Sequence, residues 1–495
     1  MPDFVVLTLG LDTIDYRRVT ESASMRISAM PSRQQSLCST NVLPRRTFLR
    51  AVAAAGAAVA VTPAYAFRRR ETKLRVLSIG VVGTIGELDR KTVNEHPDAE
   101  IVGLCDVDSA FMAKASADHP DAFKVVDYRE AFDKHGDKFD AVIVSTPDHS
   151  HASIMTLALS KNKHVYGQKP LVQQLEELDI LGRAAKARPK LVTQVGAQRI
   201  QYPGRRAAID ILKSGGLGKV VEVHVVYGRS AISGGFYFAD GKLEEPTNPP
   251  EGFNYDLWLN GNQYEPCRPN LVQRRWRSWF NYGGGQIADW SVHLLDVVFY
   301  AFPELAHPVR VLTRTPSRDL THFHADRVTS TLTYLVNSPK FAGPTCNFHF
   351  YDTGMAPDRG QLGLPPGEWP DSILTIVACE GGVLVLTPDG KIEIWRDGVM
   401  TDGTQWPGLP TYAEFNHWHA WVDKALGKET PHRWCPFEVG LACTEPGLLA
   451  VKAAKFSGQS LDWDRGSLAF TNHAEATRTI VRRAYRSGFE PTRIG

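Results

Sequence analysis

From Leu74 to about Val195, short apolar, β-rich runs alternate with stretches of helical pattern. Leu74–Ile79, Glu100–Cys105, Ala141–Ser145, His164–Tyr166 and Leu191–Val195 read as strands, with helical patterns between most of them. That alternation predicts an α/β fold, a parallel sheet with helices on both faces. Farther along, Gly284 to Tyr300 opens on a glycine-rich turn and continues as a mostly apolar helix. Asp289, His293 and Asp296 are set into it at i, i+4 and i+7, so all three share one helix face. Burying such groups costs free energy unless they are paired or used. An Asp and a His one turn apart can hold a hydroxyl and take its proton. For an isolated Asp-x-x-x-His, a buried His satisfied by neighbouring carboxylates is the better reading.

The first strand runs into Gly80-Val81-Val82-Gly83-Thr84-Ile85-Gly86. Glycines after a strand allow a tight turn and close approach of backbone N–H groups to a pyrophosphate. The spacing is G-x-x-G-x-x-G, with Val82 where the second glycine of G-x-G-x-x-G would stand. The second strand ends at Cys105-Asp106, and Asp106 lies 20 residues beyond Gly86. A carboxylate there can accept the ribose hydroxyls and repels a 2′-phosphate, which favours NAD over NADP. A plain strand-end cap is the structural alternative for Asp106.

Two further strand ends carry candidate chemistry. Ser145-Thr146-Pro147-Asp148-His149-Ser150-His151 follows one, where ligands sit in open α/β sheets. Tyr166-Gly167-Gln168-Lys169-Pro170 closes another. The proline restriction holds Lys169 extended, and its amine could steady a developing alkoxide. Alone, such a lysine would more often be an exposed loop residue.

Composition narrows the class. A net charge of +2 over 495 residues gives no electrostatic case for nucleic acid. The seven cysteines form no C-x-x-C pair, so no zinc site or disulfide framework is suggested. His417-Trp418-His419 is no metal motif either, since i and i+2 do not share a helix face. Near the N-terminus, Arg45-Arg46-Thr47-Phe48-Leu49-Arg50 precedes the apolar run Ala51 to Val61 and then Ala64-Tyr65-Ala66. That is a twin-arginine export signal with cleavage expected after Ala66. The run is shorter than the ~20 residues a membrane span needs. A start at Met25 or Met30 would suit such a signal, so residues 1–66 are set apart as signal and upstream extension. The roughly 430 residues that remain are too many for one ordinary core, and two domains are expected.

On these motifs the chain resembles the glucose–fructose oxidoreductase / inositol dehydrogenase / rhizopine-catabolism (Gfo/Idh/MocA) family. The resemblance rests on Ile79–Gly86, Leu104–Asp108, Ser145–His151, Tyr166–Pro170, Gly283–Asp296 and the run around Leu461-Asp462-Trp463-Asp464. It implies an NAD(P)-binding Rossmann domain over 72–195. A substrate and oligomerisation domain over 196–495 would carry a large, mostly antiparallel sheet. Lys219–Tyr227, Val309–Thr313, Arg327–Leu335, Thr345–Phe350, Ile373–Cys379 and Lys391–Trp395 could supply that sheet, and Glu438 to Lys455 a helix whose tail packs back on the body.

By the same resemblance Gly80, Gly83, Gly86, Asp106, Thr146, Pro147, His151 and Lys169 hold the cofactor. Lys169, Asp289 and His293 are catalytic. His293 accepts the hydroxyl proton as hydride leaves, Lys169 polarises the hydroxyl, and Asp289 orients the substrate or His293. Two residues depart from the pattern. Gln168 replaces the glutamate that usually precedes the lysine, and Val82 replaces the second glycine.

Gln198, Arg199, Trp279 and Asp296 are candidates for the substrate. Aromatics beside Arg and Asn between Gly241 and Phe280 suit sugar faces and hydroxyls. The same residues would also serve an insertion that packs on the core or on a partner. The expected function is an NAD-dependent oxidoreductase acting on a sugar, cyclitol or derivative, with a retained cofactor and a dimer or tetramer. A redox-neutral NAD-dependent glycoside hydrolase is the alternative, and a non-catalytic binding protein ranks last because no catalytic residue is missing.

Overall fold

Six apolar runs build the first sheet: β1 (Leu74–Ile79), β2 (Ala99–Cys105), β3 (Phe123–Val125), β4 (Ala141–Val144), β5 (His164–Gly167) and β6 (Thr193–Val195). The computed structural model describes residues 73–494 apart from 229–236, 238–241, 273–274, 318 and 431–434. The twin-arginine run, the alanine-rich segment and Ala64–Ala66 therefore lie outside the described residues. The six strands lie in the order β3-β2-β1-β4-β5-β6, and every neighbouring pair is parallel. β4 is buried at all its residues, because helices cover both faces of a parallel sheet. Those helices are α1 (Gly86–Asn94), α2 (Ser109–Asp118), α3 (Tyr128–His135), α4 (Asp148–Ser160) and α5 (Leu175–Lys186). Strand order reverses between β1 and β4, which places the ligand crevice at the carboxyl ends of those two strands. The five strands expected from the sequence are present. β3 is the addition, three residues long and too short for a period to show.

α6 (Pro203–Ser214) leads into the second sheet. Its strands are β7 (Val220–Val226), β8 (Pro308–Arg314), β9 (Thr329–Leu335), β10 (Thr345–Tyr351), β11 (Leu374–Cys379), β12 (Gly382–Leu386), β13 (Ile392–Arg396), β14 (Val399–Asp402), β15 (Ser460–Asp464) and β16 (Ala469–Phe470). They run in the order β14-β13-β12-β11-β7-β10-β9-β8-β15-β16. β7 and β10 pair in parallel, and the other described neighbours are antiparallel. Helices from the same part of the chain are α7 (Tyr255–Leu259), α8 (Gly285–Ala301), α9 (His417–Ala425), which packs on α1 of the first domain, and α10 (Phe437–Lys452). Alternation in β9 and β10 buries every second residue, and Tyr334 and Phe348 from that face meet Phe299 of α8. Leu461–Asp464, read from sequence as a tail, is part of β15 and pairs with β8.

α8 is the central element of the second domain. It is apolar nearly all round because it is enclosed on several sides. Two side chains of the sheet region hold its backbone: the Tyr227 hydroxyl donates to the Ile287 carbonyl at 3.0 Å, and Thr375 Oγ1 donates to the Leu294 carbonyl at 2.8 Å. On another side α10 comes close at Gly447, where a Cβ would stand 2.5 Å from Ser291 Oγ and 3.0 Å from Ala288 Cα. The site-bearing helix is thus fixed in rotation before any ligand arrives.

The chain end returns to the first domain. Arg483 Nη2 donates to Glu177 Oε1 of α5 at 2.7 Å and to the His149 carbonyl at 2.6 Å, and the Tyr485 hydroxyl donates to the same Glu177 oxygen at 2.6 Å. The other oxygen of Glu177 accepts the Gln173 and Gln174 N–H groups at the start of α5. Farther on, Ser153 Oγ donates to the Phe489 carbonyl at 2.5 Å. Glu177 is fully buried, so removing its cation should be costly. We expect Arg483→Met to lower stability by about 3–5 kcal/mol in urea unfolding, and Glu177→Gln/Arg483→Met to lose less.

Candidate active site

The glycine loop sits where β1 meets α1. Gly80 has φ +82°, and a Cβ on it would lie 2.7 Å from the Ser145 carbonyl group, while a Cβ on Gly86 would lie 2.2 Å from the Gly80 oxygen. No other residue fits these two positions. The loop is one residue longer than G-x-G-x-x-G. Val82 turns into the apolar cluster beneath the sheet, and Gly83, with φ +61°, takes the exposed position with nothing within 4 Å of a Cβ. α1 begins with no side-chain cap, and although the Glu87 N–H reaches the Val82 carbonyl at 3.3 Å, its N-terminal end still faces an anion favourably. These features fit a dinucleotide pyrophosphate.

Asp106 at the end of β2 faces this loop. Its Oδ2 accepts the Val81 N–H at 2.9 Å and its Oδ1 the Asp108 N–H at 3.0 Å. Burial, partly offset by these donors, pushes the carboxyl up to about 6. Thr146 and Pro147 are half-buried at the rim beyond β4, and Thr146 Oγ1 accepts from Ser150 Oγ at 2.7 Å. The ring of His151 lies beneath that rim, its two nitrogens 2.8 Å from the Thr146 and Pro170 carbonyls. It braces two strand-end turns against each other.

Lys169 follows β5 and crosses to α8. Its Nζ donates to Asp289 Oδ1 at 2.9 Å and to the Asp289 carbonyl at 2.9 Å. Asp289 Oδ2 accepts the Tyr237 hydroxyl at 2.6 Å, and the Arg277 guanidinium stands 3.8 Å from Oδ1. Burial, the largest influence, pushes the Asp289 carboxyl up. Lys169, Arg277 and Tyr237 together outweigh it and hold the group below its usual range. The acid beside it goes the other way. Asp148 is buried, accepts one N–H from Gly284 at 3.2 Å, and is driven well up by burial and by the charge of Asp289. Two buried carboxyls share the site with their acidities shifted in opposite directions.

His293 lies one turn beyond Asp289, with its Nδ1 buried and lacking a partner among the described residues. Its ring meets Trp290 edge-on at 5.7 Å. Burial first, then the positive charges of Lys169, Arg199 and Arg205, hold it well below the ordinary histidine value. Arg199 lies 5.1 Å from the Trp290 ring, and Gln198 beside it presents a buried Oε1 with no partner among the described residues. Lys169, Asp289, His293, Arg199 and Trp290 thus form one neighbourhood.

Two expected substrate residues are committed elsewhere. Trp279 packs among Tyr282, Phe323 and other aromatics of the Tyr255–Tyr282 region, and its indole N–H donates to the Asn270 carbonyl at 2.5 Å. Asp296 is fully buried in an ion pair with Arg205, which also reaches the His293 carbonyl. Its place on the Asp289 face is real, but its partner is a structural cation from α6. The His417 and His419 rings each lie 3.1 Å from a backbone carbonyl, of Val195 and Thr92.

Several residues at the site escaped the sequence reading. Tyr237 lies just ahead of the aromatic segment, and Arg277 comes from within it, where Trp279 had drawn attention; Arg277 stacks on Trp276 at 4.2 Å and faces Asp289. Gln286, one turn before Asp289, is buried with both amide atoms unpartnered among the described residues. Asp89 of α1 lies under Gln168. A signal existed for the last two, since each places a polar group on the buried face of a helix.

Comparisons with known proteins agree with this fold. Family models of an oxidoreductase family match in two parts, the NAD-binding Rossmann fold over residues 74–196 and the C-terminal alpha/beta domain over residues 206–334. The inositol 2-dehydrogenase of Salmonella typhimurium is 29% identical over 153 residues, 31% of this chain and 44% of that protein. Inositol 2-dehydrogenase 3 of Saccharopolyspora erythraea is 28% identical over 157 residues, 30% of this chain and 44% of that protein. The chain thus spans less than half the length of the curated relatives it matches. Among solved structures, an inositol dehydrogenase homolog from Azotobacter vinelandii, complexed with NADH and myo-inositol, gives a TM-score of 0.52 at 17% identity, covering 79% of this chain and 98% of that one. The aldose-aldose oxidoreductase of Caulobacter crescentus, complexed with glycerol, gives 0.51 at 16% identity, covering 79% and 100%. At these identities the structural likeness shows the fold.

The glycine loop makes a direct prediction. Gly80→Ala combines a left-handed backbone with a 2.7 Å contact and is expected to cost about 1–3 kcal/mol in urea unfolding.

Proposed function

The chain belongs to the Gfo/Idh/MocA oxidoreductase family, and we propose that it is an NAD-dependent oxidoreductase exchanging hydride at a CH–OH carbon of a sugar, cyclitol or sugar derivative. The observation that carries this reading is the Lys169 Nζ to Asp289 Oδ1 contact of 2.9 Å, with His293 one turn along the same helix. It brings a proton donor, an anion and a base together at the carboxyl end of the dinucleotide sheet. NAD bound at the glycine loop would supply the hydride acceptor.

The protein's own groups handle the proton. Lys169 directs its N–H bonds at the alcohol oxygen and stabilises negative charge as it develops there. Asp289 fixes the lysine, and Tyr237 and Arg277 in turn fix Asp289. His293 takes the hydroxyl proton in the oxidative direction and returns it in the reductive one. Its lowered basicity leaves the ring unprotonated across the neutral range, ready to act as base. Gln198, Arg199 and Gln286 offer hydrogen-bonding atoms suited to a polyol. Asp106 discriminates against a 2′-phosphate.

Export by the twin-arginine route is part of the proposal, supported by Arg45-Arg46 and Ala64-Tyr65-Ala66. With little free NAD outside the cytoplasm, the cofactor would be retained and recycled between substrates. A dimer or tetramer is proposed from the family resemblance.

The deciding experiment expresses the full chain, purifies the exported form and identifies any nucleotide released on denaturation by mass. Stoichiometric NAD(H), followed by reduction or reoxidation with a polyol or sugar, would support the reading. Cleavage of a glycoside without net NADH would replace it with redox-neutral hydrolysis. A protein that neither carries nor binds NAD or NADP would overturn it.

His293→Ala and Lys169→Ala are expected to lower kcat about 10²–10⁴-fold, with NADH affinity unchanged for His293→Ala in fluorescence titration. Asp106→Ala should weaken NAD and narrow its preference over NADP in the same assay. Because His293 is held below 6.5, the acid limb of kcat/KM for alcohol oxidation is expected below that pH. A limb at or above 6.5 would make another group the base.

A further inference from the structure

The residue before the catalytic lysine is an amide, and the structure shows what the amide faces. Asp89 of α1 is fully buried. Its carboxylate receives Ser145 Oγ at 2.6 Å, the Trp418 indole N–H at 2.8 Å, and the Gln168 Nε2 at 2.9 Å and 3.1 Å. An indole N–H and an amide NH₂ can only donate, so this pocket is built for a carboxylate. Gln168 completes the chain with its Oε1, which accepts the Lys169 backbone N–H at 3.3 Å. The amide is held against Gly196, where a Cβ would stand 2.6 Å from Nε2. A glutamate at 168 would set two buried carboxylates about 3 Å apart, and one would have to take a proton.

We propose that Asp89 is a positioning residue of the reaction centre, the single fixed anion of an Asp89–Gln168 pair in which the acid stands on α1 and the amide beside Lys169. It fixes the Lys169 backbone through Gln168. Its charge, at the carboxyl ends of β4 and β5, favours the cationic oxidised nicotinamide over the neutral reduced one. Burial pushes Asp89 up to about 6, against the pull of its three donors and of Lys169, so it is mostly ionised above that pH. The inference rests on the proposed binding of NAD at the glycine loop.

The test exchanges the pair. Asp89→Asn, Gln168→Glu and the double variant are prepared as full-length protein stripped of nucleotide with charcoal. Each is measured for thermal midpoint and for NAD⁺ and NADH dissociation constants at pH 7.5 by calorimetry. Gln168→Glu is expected to lower the midpoint, and the double variant, with one acid and one amide again, to recover most of the loss. Asp89→Asn is expected to weaken NAD⁺ relative to NADH by about tenfold, and the exchange to bring the ratio back toward wild type. A double variant no better than the worse single, or a folded Asp89→Asn with an unchanged affinity ratio, would reduce Asp89 to a packing residue. Wild-type protein that binds neither nucleotide would overturn the functional reading, and this inference with it.

Discussion

The contact between Lys169 and Asp289 binds the two halves of this protein into one site. Lys169 stands at the end of a parallel strand, and Asp289 lies in the first turns of a helix in the other domain. Neither is easily buried alone, since an unpaired buried ion costs several kcal/mol. Each is therefore a condition for the other's place. The supports of α8 follow from this: Tyr227 and Thr375 hold its backbone, and Gly447 lets α10 close against it. Rotation of α8 by one residue would carry Asp289 out of reach of the lysine.

Three acids cluster around that contact, and their surroundings give each a separate state. Asp289 has a lysine, an arginine and a tyrosine, and stays ionised. Asp148 has one backbone N–H and a charged neighbour, and is driven well above the usual carboxylate range. Asp89 has three donors and a deep pocket, and lies between these extremes. Neighbouring charges and hydrogen-bond donors decide the outcome, because burial acts on all three in the same direction.

Much of this was legible in the chain. Periodicity and strand-end glycines mark the dinucleotide sheet, and the spacing of Asp289 and His293 marks the helix face on which the proposed site stands. Both are local patterns, and local patterns survive translation into structure. What was not legible depends on contacts between distant segments. Trp279 and Asp296 have suitable chemistry, yet one is enclosed by aromatics and the other is met by Arg205, more than ninety positions earlier by chain order. Tyr237 and Arg277 reach Asp289 only through the tertiary fold. The exchange of Gln168 for the usual acid looks like a loss until Asp89 is seen beneath it. β3, β14 and β16 are too short to carry a period of their own.

The return of the chain end to α5 has a consequence for biosynthesis. Glu177 enters its buried position with Arg483 and Tyr485 as partners, and these leave the ribosome about 300 residues later. At about 5–20 residues per second that interval is roughly 15–60 s. During it the first domain can form its sheet, but α5 and the turn after β4 lack their final partners. The dinucleotide fold reaches its finished form last, although its sequence is made first.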